Sequence, residues 1–192
     1  MLRLEFAKSY VAELNRVLSE LPWAALDSAL AALEAAYDAR RQVFIAGNGG
    51  SAATASHMAN DLMLGVAKSG APGFRVIALT DNVAALTAIA NDNGFEYLFE
   101  YQLRALAQPQ DLLIVISGSG NSPNVLRAVQ FAKENGLTSV GFLGKDGGAA
   151  KSACDISVVI PSYDYGPIED AHMMLDHLIT AYFVRRAVKR TG

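Results

Sequence analysis

Apolar residues in this chain recur with two different spacings, and the change between them marks the predicted elements. Residues 2–21 carry apolar side chains at helical spacing, and Pro22 closes that run. A second helical pattern follows through residues 26–37. From residue 43 onward, short continuous apolar runs alternate with helical patterns. Such short runs are typical of strands that are buried on both faces of a sheet.

The predicted elements alternate regularly after the first two helices. Strands are expected at residues 43–46, 75–79, 111–116, 139–143 and 156–160. Helices are expected from the turn at 47–51 to about residue 64, then at 82–89, at 123–135 with Gly136 as the C-cap, and from about 167 to 186. Alternation of this kind predicts a doubly wound α/β fold, in which helices cover both faces of a parallel five-stranded sheet. We expect residues 1–192 to form one such domain, with the N-terminal helices, residues 2–40, packing on partner subunits.

Composition narrows the class of protein. Hydrophobic residues make up 52% of the chain and charged residues 18%, an apolar surplus that predicts helices buried against other subunits. The formal net charge is −3 and no long basic run is present, so we expect no nucleic-acid binding. No apolar run approaches the roughly 20 residues of a membrane span, and the charged N-terminus lacks a signal-peptide core. The single cysteine, Cys154, excludes an intrachain disulfide and is interpreted as a small packing residue. A cytoplasmic location is therefore expected.

Two glycine- and serine-rich turns follow predicted strands, where parallel sheets bind their ligands. The first turn contains Asn48, Gly49, Gly50 and Ser51, and matches neither the Walker pattern nor the dinucleotide spacing. Glycines allow a close approach of ligand to backbone, and free N–H groups at a helix start attract anions. Glycines that merely serve a tight turn remain an equal explanation.

The second turn carries a stronger signal for phosphate. Residues Ser117, Gly118, Ser119 and Ser122 place three hydroxyls around a predicted helix start. Hydroxyls without a lysine favour a sugar phosphomonoester over a triphosphate. The alternative is that Ser122 only caps the helix and the other residues fill the loop.

Histidines and carboxylates form two candidate groups for chemistry. His57 and Asp61 stand four residues apart on the helix that begins at the first turn, and therefore share a face. A surface ion pair is the competing explanation. The second group spans residues 167–177 and contains two of the three histidines of the chain, His172 and His177, with Glu169 and Asp176. On a helical wheel, Glu169, His172 and Asp176 share one face most closely, and His177 lies about 80° from Glu169.

Four segments together identify a family resemblance. They are Gly-Asn-Gly-Gly-Ser followed by Ala-Ala-x-Ala-x-His, then Ile-Ala-Asn-Asp-x-Gly, then Ser-Gly-Ser-Gly-Asn-Ser-Pro-Asn, and the histidine-bearing C-terminal helix. In these segments the chain resembles phosphoheptose isomerases, a branch of the SIS-domain family, over nearly its whole length. The resemblance implies a homotetrameric aldose–ketose isomerase that converts sedoheptulose 7-phosphate to D-glycero-D-manno-heptose 7-phosphate through an enediol.

The same resemblance implies roles for individual residues. The serines at 51, 117, 119 and 122 would hold the phosphate, and Asp92 lies in a segment that the family places near the active site. His177 matches the catalytic histidine. His57, Asp61, Glu169 and His177 match a zinc-binding quartet.

Two positions depart from the family pattern. The family usually has glutamate, assigned as the base, where this chain has Asp61, and glutamine where it has Glu169. Aspartate withdraws the carboxylate by one methylene, and a misplacement of about 1 Å can cost roughly a hundredfold in rate. Either Asp61 or Glu169 is therefore a candidate base, and the two changes are expected to compensate for each other. A non-catalytic SIS module that binds a protein partner, and an isomerase of another sugar phosphate, remain the alternatives.

Overall fold

A computed structural model of the chain describes the backbone of residues 2–191 and the side chains of residues 2–188. Its strands are β1 (Gln42–Gly47), β2 (Arg75–Ala78), β3 (Leu112–Ser117), β4 (Thr138–Leu143) and β5 (Ile156–Val159). Its α-helices are α1 (Arg3–Ser19), α2 (Trp23–Asp38), α3 (Gly50–Asn60), α4 (Val83–Asp92), α5 (Glu100–Leu106), α6 (Pro123–Glu134), α7 (Ala150–Ala153) and α8 (Tyr165–Thr191). A π-helical turn, Asp61–Gly65, continues α3, and a 3-10 turn, Phe95–Tyr97, precedes α5.

The five strands form one parallel sheet in the order β2-β1-β3-β4-β5. The chain runs outward from β1 in one direction and from β3 in the other, so the strand order reverses between these two neighbours. The crevice at such a reversal is where doubly wound sheets bind ligands. The predicted fold class is confirmed.

Alternate residues of the central strands enter two separate cores. Val43 and Ile45 of β1 contribute to a core with residues of α2, α3 and α8. Phe44 and Ala46 contribute to the core on the opposite face, with residues of α5 and α6. Burial on both faces explains the continuous apolar runs in the sequence.

The two N-terminal helices differ in how they are buried. α2 buries Leu26, Ala29, Leu33 and Ala36 in the core of the chain itself. α1 packs along α8 and buries Val17, but leaves apolar side chains such as those of Leu4, Phe6 and Val11 exposed. Of the two helices expected to pack on partner subunits, α1 is therefore the one with an apolar side left uncovered by the rest of the chain.

Two short helices, α5 and α7, were not predicted. α5 is held by a buried carboxylate, because Glu100 accepts hydrogen bonds of 2.6 Å from both Arg104 and Arg127. The guanidinium of Arg127 also lies 4.0 Å from the centre of the Tyr97 ring. These partners are up to 27 residues from Glu100, so the local pattern does not indicate them.

Among residues 2–191, no helix combines the length and the apolar character needed to cross a membrane.

Cys154 is partly buried against the α5/α6 core, and burial raises the pKa of its thiol to about 12. A thiol with such a pKa is a weak nucleophile, which agrees with the packing role expected from the sequence.

Candidate active site

The two glycine- and serine-rich turns lie side by side at the carboxyl ends of β1 and β3. Gly47, the last residue of β1, is in register with Ile116 of β3. Gly49 adopts φ 55° and ψ −122°, a conformation that glycine reaches at little cost, and it directs the chain into α3 at Gly50. A Cβ on Gly49 would meet no atom within 4 Å, so the space above this turn is open.

In the second turn, two hydroxyls accept hydrogen bonds from the backbone of the turn itself. Ser117 Oγ accepts from the N–H of Gly120 at 3.0 Å, and Ser119 Oγ accepts from the N–H of Asn121 at 3.2 Å. Each hydroxyl keeps its own proton available for donation. Ser122 occupies the N-cap position of α6, but its side chain makes no capping hydrogen bond. The explanation of Ser122 as a simple helix cap is therefore not supported.

Asn48 has a role that the sequence did not indicate. Its side-chain amide exchanges two hydrogen bonds, both 2.8 Å, with the amide of Asn124 at the start of α6. Asn124 is fully buried. This pair joins the two turns, so the Asn48 side chain is engaged in holding the site together, while Ser51 lies buried in the first turn of α3.

A histidine–carboxylate cluster lies between α3, the π-turn and α8. Each of four residues offers one nitrogen or oxygen that could bind a metal, and these four atoms all lie within 4.8 Å of one another. The residues are His57, Asp61, Asp176 and His177. The rings of His57 and His177 meet edge to face, with centroids 5.3 Å apart. The π-turn begins at Asp61, and π-turns inside helices are frequent at functional sites. The expected shared face of His57 and Asp61 is confirmed, with Nδ1 and Oδ2 3.9 Å apart.

Asp176 is the member of this cluster that the sequence analysis did not select. Its side chain is completely buried, and Oδ2 lies 2.8 Å from His57 Nδ1. The hydrogen bond to Asp176 is the main reason that the pKa of His57 is raised. Burial is the main reason that the pKa of Asp176 is raised. The signal available in the sequence was the position of Asp176 beside His177.

Glu169 lies outside the cluster, so three of the four residues predicted to bind zinc are brought together. The Glu169 carboxylate instead lies at the start of α3, where a Cβ built on Gly50 would come within 2.8 Å of both its oxygens. A helix N-terminus carries partial positive charge and stabilises a carboxylate. Glu169 therefore stands close to the first of the two turns.

His172 and Asp92 occupy quite different surroundings. His172 is buried, and both of its ring nitrogens lack a hydrogen-bond partner among the described residues. Burial lowers the pKa of His172 to about 4, which makes it a neutral packing histidine at pH 7.

Asp92 is the last residue of α4, where its exposed carboxylate accepts a 2.7 Å hydrogen bond from Asn91. Its role in substrate binding stays a prediction.

The chain resembles known proteins in sequence and in fold. The SIS-domain family profile matches residues 5–144. A phosphoheptose isomerase of Nitratiruptor sp. is 41% identical over 176 residues, which cover 92% of this chain and 91% of that protein. A phosphoheptose isomerase of Trichlorobacter lovleyi is 45% identical over 138 residues, 72% of this chain and 70% of that protein.

Solved structures agree with these relatives. A phosphoheptose isomerase from Francisella tularensis superposes with a TM-score of 0.86 at 29% identity, covering 97% of this chain and 100% of that one. The enzyme from Neisseria gonorrhoeae gives a TM-score of 0.86 at 31% identity, covering 94% and 97%.

The sheet order and the paired turns define a SIS domain, the class of α/β domain to which the matched profile belongs. Within that class, the histidine–carboxylate cluster and the similarity over nearly the whole chain narrow the assignment. The chain belongs to the phosphoheptose isomerase family.

Proposed function

We propose that this protein interconverts sedoheptulose 7-phosphate and D-glycero-D-manno-heptose 7-phosphate through an enediol. One observation carries the proposal. Two turns suited to a phosphomonoester lie side by side, one at the start of α3 and one at the start of α6, and a histidine–carboxylate cluster lies where the far end of α3 meets α8. The phosphate-binding residues would be the serines of the two turns, Ser51, Ser117, Ser119 and Ser122, with the backbone of Gly49, Gly50 and Gly118.

The spacing along α3 suits a long sugar. His57 is seven positions after Gly50, which corresponds to ~10 Å of helix. An extended seven-carbon sugar phosphate has a comparable length from its phosphorus to C1. The phosphate would therefore lie at the turns while C1 and C2 lie beside His57 and Asp61.

Isomerisation then requires one base and one group that moves protons between oxygens. Asp61 takes a proton from C1 of the ketose, and His177 gives a proton to the oxygen on C2, forming the enediol. His177 next takes the proton from the oxygen on C1 while Asp61 returns its proton to C2. The product is the aldose, and both side chains regain their starting protonation.

Glu169 is the second candidate for the base, as the sequence suggested. Its position beside Gly50 places it nearer the phosphate turns than the cluster. That position favours Asp61, because the reacting carbons lie far from the phosphate. Glu169 then weakens the binding of the phosphate, because its negative charge competes for the same helix end.

The donor set fits zinc. Mixed imidazole and carboxylate ligation is typical of Zn²⁺, and catalytic zinc sites use three protein ligands and an open position. His57, Asp61 and His177 would supply those ligands, and a carboxylate bound through one oxygen keeps the other free as a base. Zinc would polarise the substrate oxygens at C1 and C2. Glu169, the fourth ligand implied by the resemblance, lies beside Gly50.

We further propose a homotetramer in the cytoplasm. The exposed apolar side chains of α1 support an assembly of subunits, because contiguous apolar surface marks interaction sites. The substitution Phe6→Glu, compared with Lys8→Glu, tests this through light scattering. Dissociation of the Phe6→Glu variant, and not of the Lys8→Glu variant, is the expected result.

The proposed cytoplasmic location is consistent with the single cysteine, which suits a reducing compartment.

Proton NMR of the purified protein with sedoheptulose 7-phosphate in D2O tests the reaction, with and without added zinc. We expect aldose signals and deuterium at C1 or C2, both lost in His177→Ala and retained in Lys133→Ala. If only a hexulose or pentulose phosphate is turned over, that sugar and not sedoheptulose 7-phosphate is the substrate. No turnover and no exchange with any of these sugars would overturn the enzyme and favour the protein-binding alternative.

A further inference from the structure

The hydrogen bond between Asp176 and His57 joins two helices that are far apart in the sequence. Asp176 lies on α8 and His57 on α3, 119 residues earlier. Asp176 has no exposed surface, whereas the His57 side chain is 43% exposed. The pair therefore connects the protein interior with the open side of the cluster.

The chemistry of the two groups determines where the imidazole proton lies. An ionised carboxylate only accepts hydrogen bonds, and a neutral imidazole has one N–H donor and one acceptor nitrogen. Since Asp176 Oδ2 lies 2.8 Å from Nδ1, an ionised Asp176 requires that nitrogen to carry the hydrogen and donate it. Nε2, on the other side of the ring, is left with a free lone pair.

A second carboxylate, that of Asp61, lies near the same nitrogen, so the partner of the Nδ1 hydrogen matters for the site. Asp61 Oδ2 lies 3.9 Å from His57 Nδ1, beyond hydrogen-bond range. The Nδ1 hydrogen is thus directed to Asp176, and Asp61 interacts with His57 through charge alone, without a hydrogen bond. Within the described residues, Asp176 Oδ1 has no hydrogen-bond partner, so the contact with His57 is the one that stabilises this buried carboxylate.

We propose that Asp176 is a positioning residue that holds His57 with Nδ1 protonated, Nε2 free to bind a metal or a substrate oxygen, and no hydrogen bond between His57 and Asp61. The use of Nε2 rests on the proposed function, whereas the tautomer does not. Metal-binding histidines commonly donate their other ring nitrogen to a carboxylate, and loss of that carboxylate typically lowers metal affinity about 10- to 100-fold. Asp176 accordingly acts through His57 and does not contact the substrate.

Nitrogen NMR of the metal-free protein with ¹⁵N-labelled histidine tests the tautomer directly. The chain has three histidines, so His57→Gln assigns the signals of residue 57. At a pH where the ring is neutral, we expect Nδ1 of His57 to be the protonated nitrogen in the unaltered protein. A neutral His57 protonated on Nε2 would overturn the proposal, and this measurement requires no change at Asp176.

Two variants then separate positioning from structure. Asp176→Asn retains an acceptor oxygen and should keep the tautomer, whereas Asp176→Leu should lose it and bind Zn²⁺ alone 10- to 100-fold more weakly. Asp170→Asn, which alters an exposed carboxylate on the same helix, should change neither quantity. Unchanged zinc affinity in a folded Asp176→Leu protein would contradict the positioning role. An unreactive protein with the expected tautomer would overturn the proposed isomerase but leave this inference standing.

Discussion

Asn48 and Asn124 exchange two amide hydrogen bonds of 2.8 Å each, and thereby join the turn after β1 to the turn after β3. The two residues are 76 positions apart in the chain. Each turn alone is a short, glycine-rich loop, and the amide pair links the two directly. The position of the hydroxyls proposed to bind phosphate, relative to α3, therefore depends on this contact.

Replacing Asn124 by alanine should destabilise the protein and weaken phosphate binding. The change leaves the polar atoms of Asn48 without their partner, which typically costs about 1–3 kcal/mol. Urea unfolding and calorimetric titration with inorganic phosphate measure the two effects. Lys133→Ala, an exposed change on the same helix, should alter stability by less than about 0.5 kcal/mol. Equal behaviour of the two variants would mean that the amide pair does not hold the turns together.

Gly120→Ala should be one of the most damaging small substitutions in the chain. Gly120 has φ 64°, and a Cβ there would lie 1.9 Å from the carbonyl oxygen of Gly147, a backbone atom that cannot rotate away. The matched control is Gly70→Ala, because Gly70 has φ 87° and a Cβ there would meet nothing within 4 Å. We expect a loss of about 1–2 kcal/mol for the control and clearly more for Gly120. Similar urea midpoints for both variants would contradict the close contact.

Glu169→Gln should tighten the binding of phosphate. The Glu169 carboxylate lies at the start of α3 and competes with any anion for the positive end of that helix. Removing its charge should improve the affinity for inorganic phosphate about two- to fivefold at low salt, from a helix-end contribution of roughly 0.3–1 kcal/mol. Asp170→Asn serves as the control, since its carboxylate bonds Tyr10. Weaker binding in Glu169→Gln would instead indicate that the glutamate supports the site.

Asp61→Glu and Glu169→Gln together should differ from the sum of their separate effects. On the family resemblance noted in the sequence, each restores the residue expected at its position, and we expect the two departures to compensate for each other. Values of kcat/KM for the two single variants and the double variant give the coupling energy. Strictly additive effects would show that the two positions act independently.

His172 should make the stability of the protein depend on pH in the acid range. Its pKa is about 4 in the folded protein and 6.5 unperturbed, so the unfolded chain binds more protons between these values. The contribution is complete above pH 6.5 and is lost as the pH falls toward 4, by up to about 3 kcal/mol. Urea midpoints measured across this range should fall less steeply in His172→Leu than in the unaltered protein. Parallel curves would mean that His172 is not buried in its neutral form.

The local pattern was sufficient for the strands and for most of the helices. Each central strand is buried on both faces and most of the longer helices on one, and both arrangements leave a regular apolar spacing in the sequence. α5 left no comparable signal, because its buried residues include Glu100 and Gln102. Their partners are supplied by other elements, such as Arg127 and the carbonyl oxygen of Leu79.

By itself, the sequence determined the α/β fold, the two turns and the shared face of His57 and Asp61, because each depends on residues close together in the chain. Only the tertiary structure decided which residues of α8 join that pair. The helical wheel grouped Glu169, His172 and Asp176, but α8 packs so that His172 and Asp176 are buried and His177 meets His57. A helix pattern defines faces but not what each face will contact, and here the packing of α8 on α3 placed Asp176 at the site and Glu169 beside Gly50.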